Sequence, residues 1–151
     1  MQSLDAIDWK LIEELQLDAR VPLSRLGKRV GLSQPATSER VKRLEAAGVI
    51  EGYTARINYQ AVGLDLLAVV RVKTTFEKLQ TCIRMFASMP QILEVHRVTG
   101  EDCFVLKVIV ARSQQLESVV DNLARHGSVT TAIVLSSQPP TPVSRRIAAA
   151  E

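Results

Sequence analysis

With 151 residues, 46% of them hydrophobic, and a formal net charge of only +3, the chain has enough apolar mass for one or two modest cores, and its overall charge names no partner. No apolar run approaches the roughly 18 residues of a membrane span, and Met1-Gln2-Ser3-Leu4-Asp5-Ala6 lacks the basic and apolar regions of a signal peptide, so neither is expected. Cys82 and Cys103 are too few for a disulfide framework, which points to a reducing cytoplasm as the expected location.

The first element is an amphipathic helix. Leu4, Ile7, Leu11, Ile12 and Leu15 recur with a 3.6-residue period, and Asp5 and Asp8 suit its first turn. Arg20-Val21-Pro22 breaks it, and a second helix over 23–30 carries Leu23, Leu26 and Val30 inward. Val30-Gly31-Leu32-Ser33-Gln34-Pro35 then reads as a tight turn opening a third helix. Gly31 can take a positive φ, Ser33 is a good N-cap, and Pro35 falls where a missing N–H costs nothing. Val41, Leu44 and Thr37 share one face of this helix, which ends near Gly48.

A short helix, a Gly-containing turn and a second helix with a polar, basic outer face form a helix-turn-helix signature, whose second helix enters a major groove. The bland alternative is a helical hairpin with a solvated face. Charge placement favours the first reading. Residues 1–18 hold Asp5, Asp8, Glu13, Glu14 and Asp18, whereas 20–43 hold Arg20, Arg25, Lys28, Arg29, Arg40, Lys42 and Arg43. On the helical wheel Ser33, Gln34, Pro35, Ser38, Glu39 and Lys42 are expected near base edges or the groove wall, and Arg40 and Arg43 nearer phosphates. Thr37 is counted with them as a candidate DNA contact. Residues 49–58, with β-branched side chains and Tyr53 around Gly52, suggest a hairpin wing from which Arg56 would reach a phosphate.

From residue 66 the period changes. Strands are expected over 66–72, 92–98, 103–110 and 129–135, with helices over 77–88 (Leu79, Ile83, Phe86 and Ala87 inward) and 114–125 (Leu116, Val119, Val120 and Leu123 inward). The order β-α-β-β-α-β is the ferredoxin-like split unit, with both helices on one face of an antiparallel four-stranded sheet. The expected fold class is therefore α+β: an N-terminal winged helix-turn-helix domain with linker over 1–64, a ferredoxin-like domain over 65–137, and a tail over 138–151. The strands at 66–72 and 103–110 barely alternate, so their second face needs a cover, and a second copy of the sheet is the simplest one. Val70 and Leu106 are the positions expected to include a partner-facing side chain. Arg145-Arg146 in the tail would touch DNA or a neighbouring subunit if held, and a mobile end is the simpler expectation.

Leu4-Asp5-x-x-Asp8-x-x-Leu11-Ile12-x-x-Leu15, Val30-Gly31-Leu32-Ser33, Arg40-x-x-Arg43-Leu44-Glu45-x-x-Gly48-Val49-Ile50-x-Gly52-Tyr53, Val98-Thr99-Gly100-Glu101-Asp102-Cys103-Phe104 and Gly127-Ser128-Val129-Thr130-Thr131 together resemble the Lrp/AsnC family. The resemblance spans about residues 4–137 and implies a feast/famine-type transcriptional regulator. Such proteins bind double-stranded DNA, form dimers that assemble into tetramers, octamers or larger discs, and respond to amino acids between C-terminal domains. Many members carry an aromatic residue after the acidic one in the loop at Gly100, followed by Asp. Here those positions are Asp102 and Cys103, which leaves the ligand open.

The expected effector site comprises Val98, Thr99, Gly100, Asp102, Thr130 and Thr131. Asp102 would take the ammonium, loop N–H groups the carboxylate, the threonines would add hydroxyls, and Val98 would line the side-chain pocket. The alternative is that 99–102 is only a hairpin turn. No cofactor and no metal are expected. His96 and His126 have no metal-ligand spacing with the cysteines, Glu101-Asp102 has no partner acid, and no Gly-rich phosphate loop occurs, so catalysis is not expected either. An architectural DNA-binding protein without an effector is the non-enzymatic alternative.

Overall fold

The computed structural model describes residues 4–148, which divide into two compact units, one of residues up to Arg56 joined by those from Pro139 onward, the other Ile57–Gln138. Each is described by itself.

The first unit is built on three helices: α1 (Ala6–Leu17), α2 (Leu23–Val30) and α3 (Gln34–Ala46). Asp5 caps α1. Its carboxylate accepts from the N–H groups of Ile7 and Asp8, both at 2.8 Å, and the Asp8 carboxylate reaches back to the Asp5 N–H at 3.2 Å. This closes a capping box that satisfies otherwise orphaned donors. Between α2 and α3 the chain turns at Gly31, whose φ of 77° is the left-handed conformation the sequence called for. The Ser33 hydroxyl then caps α3 by accepting from the Ala36 N–H at 3.4 Å, with Pro35 in the first turn. Leu11, Leu15, Val21, Leu26, Val30, Val41 and Leu44 form the core.

Residues 49–58 form no strand, so the expected wing is absent from the described chain. A hairpin there needs a reversal, and Gly52 is not among the positive-φ glycines. The segment instead bends at Val49 and Ile50 and takes no regular structure beyond them, and the Tyr53 hydroxyl donates to Glu45 Oε1 on α3 at 2.8 Å. Burial chiefly, and that bond next, push the Tyr53 phenol up to about 12.

The second unit has the expected order: β1 (Leu66–Lys73), α4 (Leu79–Ala87), β2 (Ile92–Arg97), β3 (Phe104–Val110), α5 (Ser113–Ala124) and β4 (Ser128–Ile133). The four strands are antiparallel in the spatial order β2-β3-β1-β4. One face packs on α4 and α5, where Ala68, Val70, Val72, Phe104, Leu106, Val108 and Val110 meet Leu79, Cys82, Phe86, Leu116, Val119 and Leu123. Phe86 and Phe104 meet edge to face with ring centres 5.1 Å apart.

Two expectations are corrected here. Cys82, not Ile83 or Ala87, points into the core from α4, and Ile83 stays 38% exposed. Leu79, Cys82 and Phe86 stack at helical spacing, which turns positions 83 and 87 outward. Second, Val70 and Leu106 are cross-strand partners on the helix-covered face and are fully buried in the chain's own core. Neither faces an outside partner. The open face carries their alternating neighbours, Leu67, Val69 and Arg71 on β1 and Val105, Lys107 and Ile109 on β3.

Candidate DNA interface and ligand site

Ser33, Gln34, Pro35, Glu39, Lys42 and Arg43 lie exposed at the start and along the outer side of α3, with Ser38 and Arg40 half-buried. Arg56 is exposed beyond the helix. Thr37 is the exception and is corrected: it is fully buried, and its hydroxyl donates to the Ser33 carbonyl at 2.8 Å. Its place is the tight packing between α2 and α3, out of reach of a groove.

The arginines of α3 have an internal partner that the sequence reading missed. Asp8 is 1% exposed. Arg43 Nη2 donates to its two carboxylate oxygens at 2.8 and 2.9 Å, and Arg40 Nη1 donates to Asp8 Oδ1 at 2.9 Å and Asp5 Oδ2 at 2.7 Å. The bond from the Asp8 N–H, and next the Arg40 guanidinium, hold the Asp5 carboxyl down at about 2. Reciprocally, the bonds to Asp5 and Asp8 raise the pKa of Arg40. Arg29 likewise pairs with Glu14. The acidic block over 1–18 and the basic block over 20–43 were the available signal: segregated along the chain, they meet in space. Arg20, Arg25, Lys28 and Lys42 make no ion pair among the described residues and carry the remaining free positive charge around α2 and α3.

In the second unit, the loop after β2 closes by a bond from the Val98 N–H to the Cys103 carbonyl at 3.1 Å, with Gly100 at φ 110°. Asp102 is half-buried and lies 3.4 Å from Arg71 Nη1. Arg71 is the cross-strand neighbour of Thr130 on β4 and of Val105 on β3. Asp102, Arg71 and Thr130 thus gather at one end of the open sheet face, next to half-buried Val98. Thr99 and Gly100 are exposed in the loop. Thr131 is not brought in, because it pairs with Val70 and so points to the opposite face. Arg71 was missed in the sequence, although a lone cation inside an apolar strand was a readable signal. Further along the same face, Glu94 accepts from Lys107 at 2.8 Å, and this bond holds its carboxyl below the usual range.

Among the described residues no group of three or more His, Cys, Asp or Glu could hold a metal, and no helix is long and apolar enough to cross a membrane. A three-helix unit whose α3 exposes a polar outer side, joined to a split β-α-β unit with ion pairs on its open sheet face, fits a DNA-binding regulator with a ligand-binding domain. Comparison with known proteins agrees. Residues 4–45 match the AsnC-type helix-turn-helix domain, and residues 67–143 match the Lrp/AsnC ligand binding domain. The chain is 36% identical over 137 residues to the uncharacterized regulator YezC of Bacillus subtilis, covering 89% of this chain and 95% of that one. It is 37% identical to the leucine-responsive regulatory protein of Rhizobium meliloti, with 85% of each chain covered. Bacillus subtilis LrpC superposes with a TM-score of 0.87 at 26% identity, covering 93% of this chain and all of that one. A Neisseria meningitidis regulator solved as its L-Met complex gives a TM-score of 0.89 at 25% identity, with 96% and 99% covered. The chain belongs to the Lrp/AsnC family of transcriptional regulators, which are not enzymes.

Proposed function

We propose that this regulator binds a free amino acid through Asp102 and Arg71, works as a homo-oligomer of dimers in the cytoplasm, and reads its operator with the outer face of α3. The observation that carries the reading is the Asp102–Arg71 pair, 3.4 Å apart beside Thr130. A zwitterion replaces that one ion pair with two: its ammonium on Asp102 and its carboxylate on Arg71, which can take it bidentately. Thr130, Thr99 and the N–H groups around Gly100 supply further bonds, and Val98 supplies apolar contact. The Neisseria relative's L-Met complex supports an amino acid as the ligand class. A thermal-shift screen of the twenty amino acids names the candidate, and calorimetry then compares the native chain with Asp102→Ala and Arg71→Ala. Loss of binding in both, with folding intact, is the expected result. Unchanged affinity in either removes that residue from the site.

On the DNA side, Ser33, Gln34, Pro35, Ser38 and Glu39 face base edges in this reading, Lys42 lies at the groove wall within reach of a phosphate, and Arg40, Arg43 and Arg56 face phosphates. Lys42 is the cleanest probe because it has no ion pair among the described residues. Lys42→Ala is expected to weaken binding to all sequences alike and to lower the salt slope by about one. Ser38 or Gln34 substitutions are expected to change operator preference instead. A salt slope unmoved by Lys42→Ala would take that face off the phosphates.

A further inference from the structure

The C-terminal segment was expected to be a loose tail, and it is docked. After β4 the chain returns, from Pro139 on, to the unit that holds α1, α2 and α3. The Val143 N–H donates to Gln16 Oε1 at 2.8 Å, and the Val143 carbonyl accepts from Gln16 Nε2 at 2.8 Å. One side-chain amide on α1 thus satisfies both backbone groups of a single residue, as a neighbouring strand would. The Arg145 N–H donates to Glu13 Oε1 one turn earlier at 3.3 Å, ahead of a short helix, α6 (Arg145–Ala148). Pro140 and Val143 help to line a groove of about 670 Å³ with Trp9, Ile12, Val49 and Tyr53. The segment reads Pro139-Pro140-Thr141-Pro142-Val143. Closely spaced prolines favour an extended helix that loses little entropy on binding, and aromatic-lined grooves suit such segments.

We infer that the groove between α1 and residues 49–56 is a docking site for an extended, proline-rich segment, and that residues 139–148 are its occupant in cis, held by Gln16 as a latch. β4, the last strand of the ligand-binding unit, continues through 134–138 into this latch. The two units are therefore joined by the chain twice, through the segment before β1 and through the latch, and the second path ends on α1. A shift of β4 on ligand binding pulls on the Gln16–Val143 clip, which gives the ligand a route to the DNA-binding unit that bypasses the first linker. That regulatory use rests on the function proposed above; the docking does not.

The test reads the latch with neither DNA nor amino acid present. Trp9 is the only tryptophan in the chain and lines the groove. In the full-length chain, Val143→Pro removes the donor to Gln16, and Gln16→Ala removes both bonds. Both variants are expected to red-shift Trp9 emission and to increase its quenching by acrylamide, without loss of far-ultraviolet circular dichroism. In Gln16→Ala the protection of the Val143 amide is expected to fall about tenfold, the equivalent of one net hydrogen bond. A synthetic peptide of residues 139–148 added to Val143→Pro is expected to restore the native emission. Native-like Trp9 quenching in both variants, or a Val143 amide that already exchanges at the unprotected rate in the native chain, overturns the latch. A native Trp9 signal that is lost on dilution overturns the cis assignment in favour of exchange between two copies.

Discussion

At the scale of single residues, Asp8 does the most. It closes the cap of α1, it is buried, and it holds the two arginines of α3 from below. The angle between α1 and α3 is therefore set by charge-assisted bonds as well as by apolar packing. Asp8→Asn keeps the shape and removes the charge. Both guanidinium groups retain access to water, so the expected cost is about 1–3 kcal/mol rather than the larger penalty of a stranded buried ion, measured as a lower urea midpoint at unchanged m-value. Arg43→Ala is expected to share part of this loss, so its effect on DNA affinity is interpretable only beside its stability. Asp5 adds a pH dependence. Its folded pKa lies below the ordinary value of 3.8, at about 2, so its stabilisation is present above 3.8 and is lost as the pH falls toward 2. Asp5→Asn is expected to flatten that part of the acid limb in a series of urea titrations. Tyr53 has the opposite sign. A phenol raised from 10.0 to about 12 leaves stability intact below 10 and removes it as the pH climbs toward 12. An alkaline limb no different in Tyr53→Phe would refute the burial and the Glu45 bond as its source.

Among the elements, those with strong period or chemical punctuation were legible in the sequence. The turn at Gly31-Leu32-Ser33 was legible because positive φ, a cap and a first-turn proline all point one way. The β-α-β-β-α-β order followed from alternating periods. What stayed hidden depended on contacts between distant residues. Nothing local distinguishes an irregular segment 49–58 from a hairpin, nor Cys82 from Ile83 as the inward residue of α4, because an apolar helix with several candidates takes its rotation from the sheet beneath it. The pairing of the charge blocks was hidden in the same way: that Arg40 and Arg43 also bond Asp8 appears only once α1 is folded against α3. Gly127 also carries a message that only the fold reveals. A Cβ there would lie 2.1 Å from the Lys73 carbonyl oxygen, so the entry to β4 passes directly against the end of β1. Gly127→Ala must displace backbone rather than a flexible side chain. Its expected cost is about 1–3 kcal/mol in the ligand-binding unit, visible as a lower Tm for that transition. Because β4 carries Thr130, weaker amino-acid binding is expected along with it.

At the scale of the whole molecule, the assembly proposed above rests on the open sheet face. It presents Leu67, Val69 and Val105, all half-buried, between the Glu94–Lys107 and Asp102–Arg71 pairs. A face with an apolar centre and charges of both signs around it suits a second copy of itself, since each sign on one copy finds its opposite within the other's rim. Substitutions must respect the register. Val70 and Leu106 lie in the chain's own core, so Val70→Asp is expected to unfold the unit and reports nothing about association. An Asp at position 69 would sit opposite Lys107, and one at position 105 opposite Arg71, so both would find a counter-charge. Leu67 is the informative position, because its cross-strand neighbour is Ile109 and offers none. In Leu67→Asp the carboxylate is solvated in the free subunit and stranded when a partner sheet closes over it. The expected outcome is a folded monomer with native circular dichroism, seen by light scattering at micromolar concentration, where the native chain gives a dimer or larger assembly. DNA affinity is expected to fall with it, because two half-sites are then read by separate molecules. A native chain that scatters as a monomer, or a Leu67→Asp variant that assembles as the native chain does, would show that this face is not where the subunits meet.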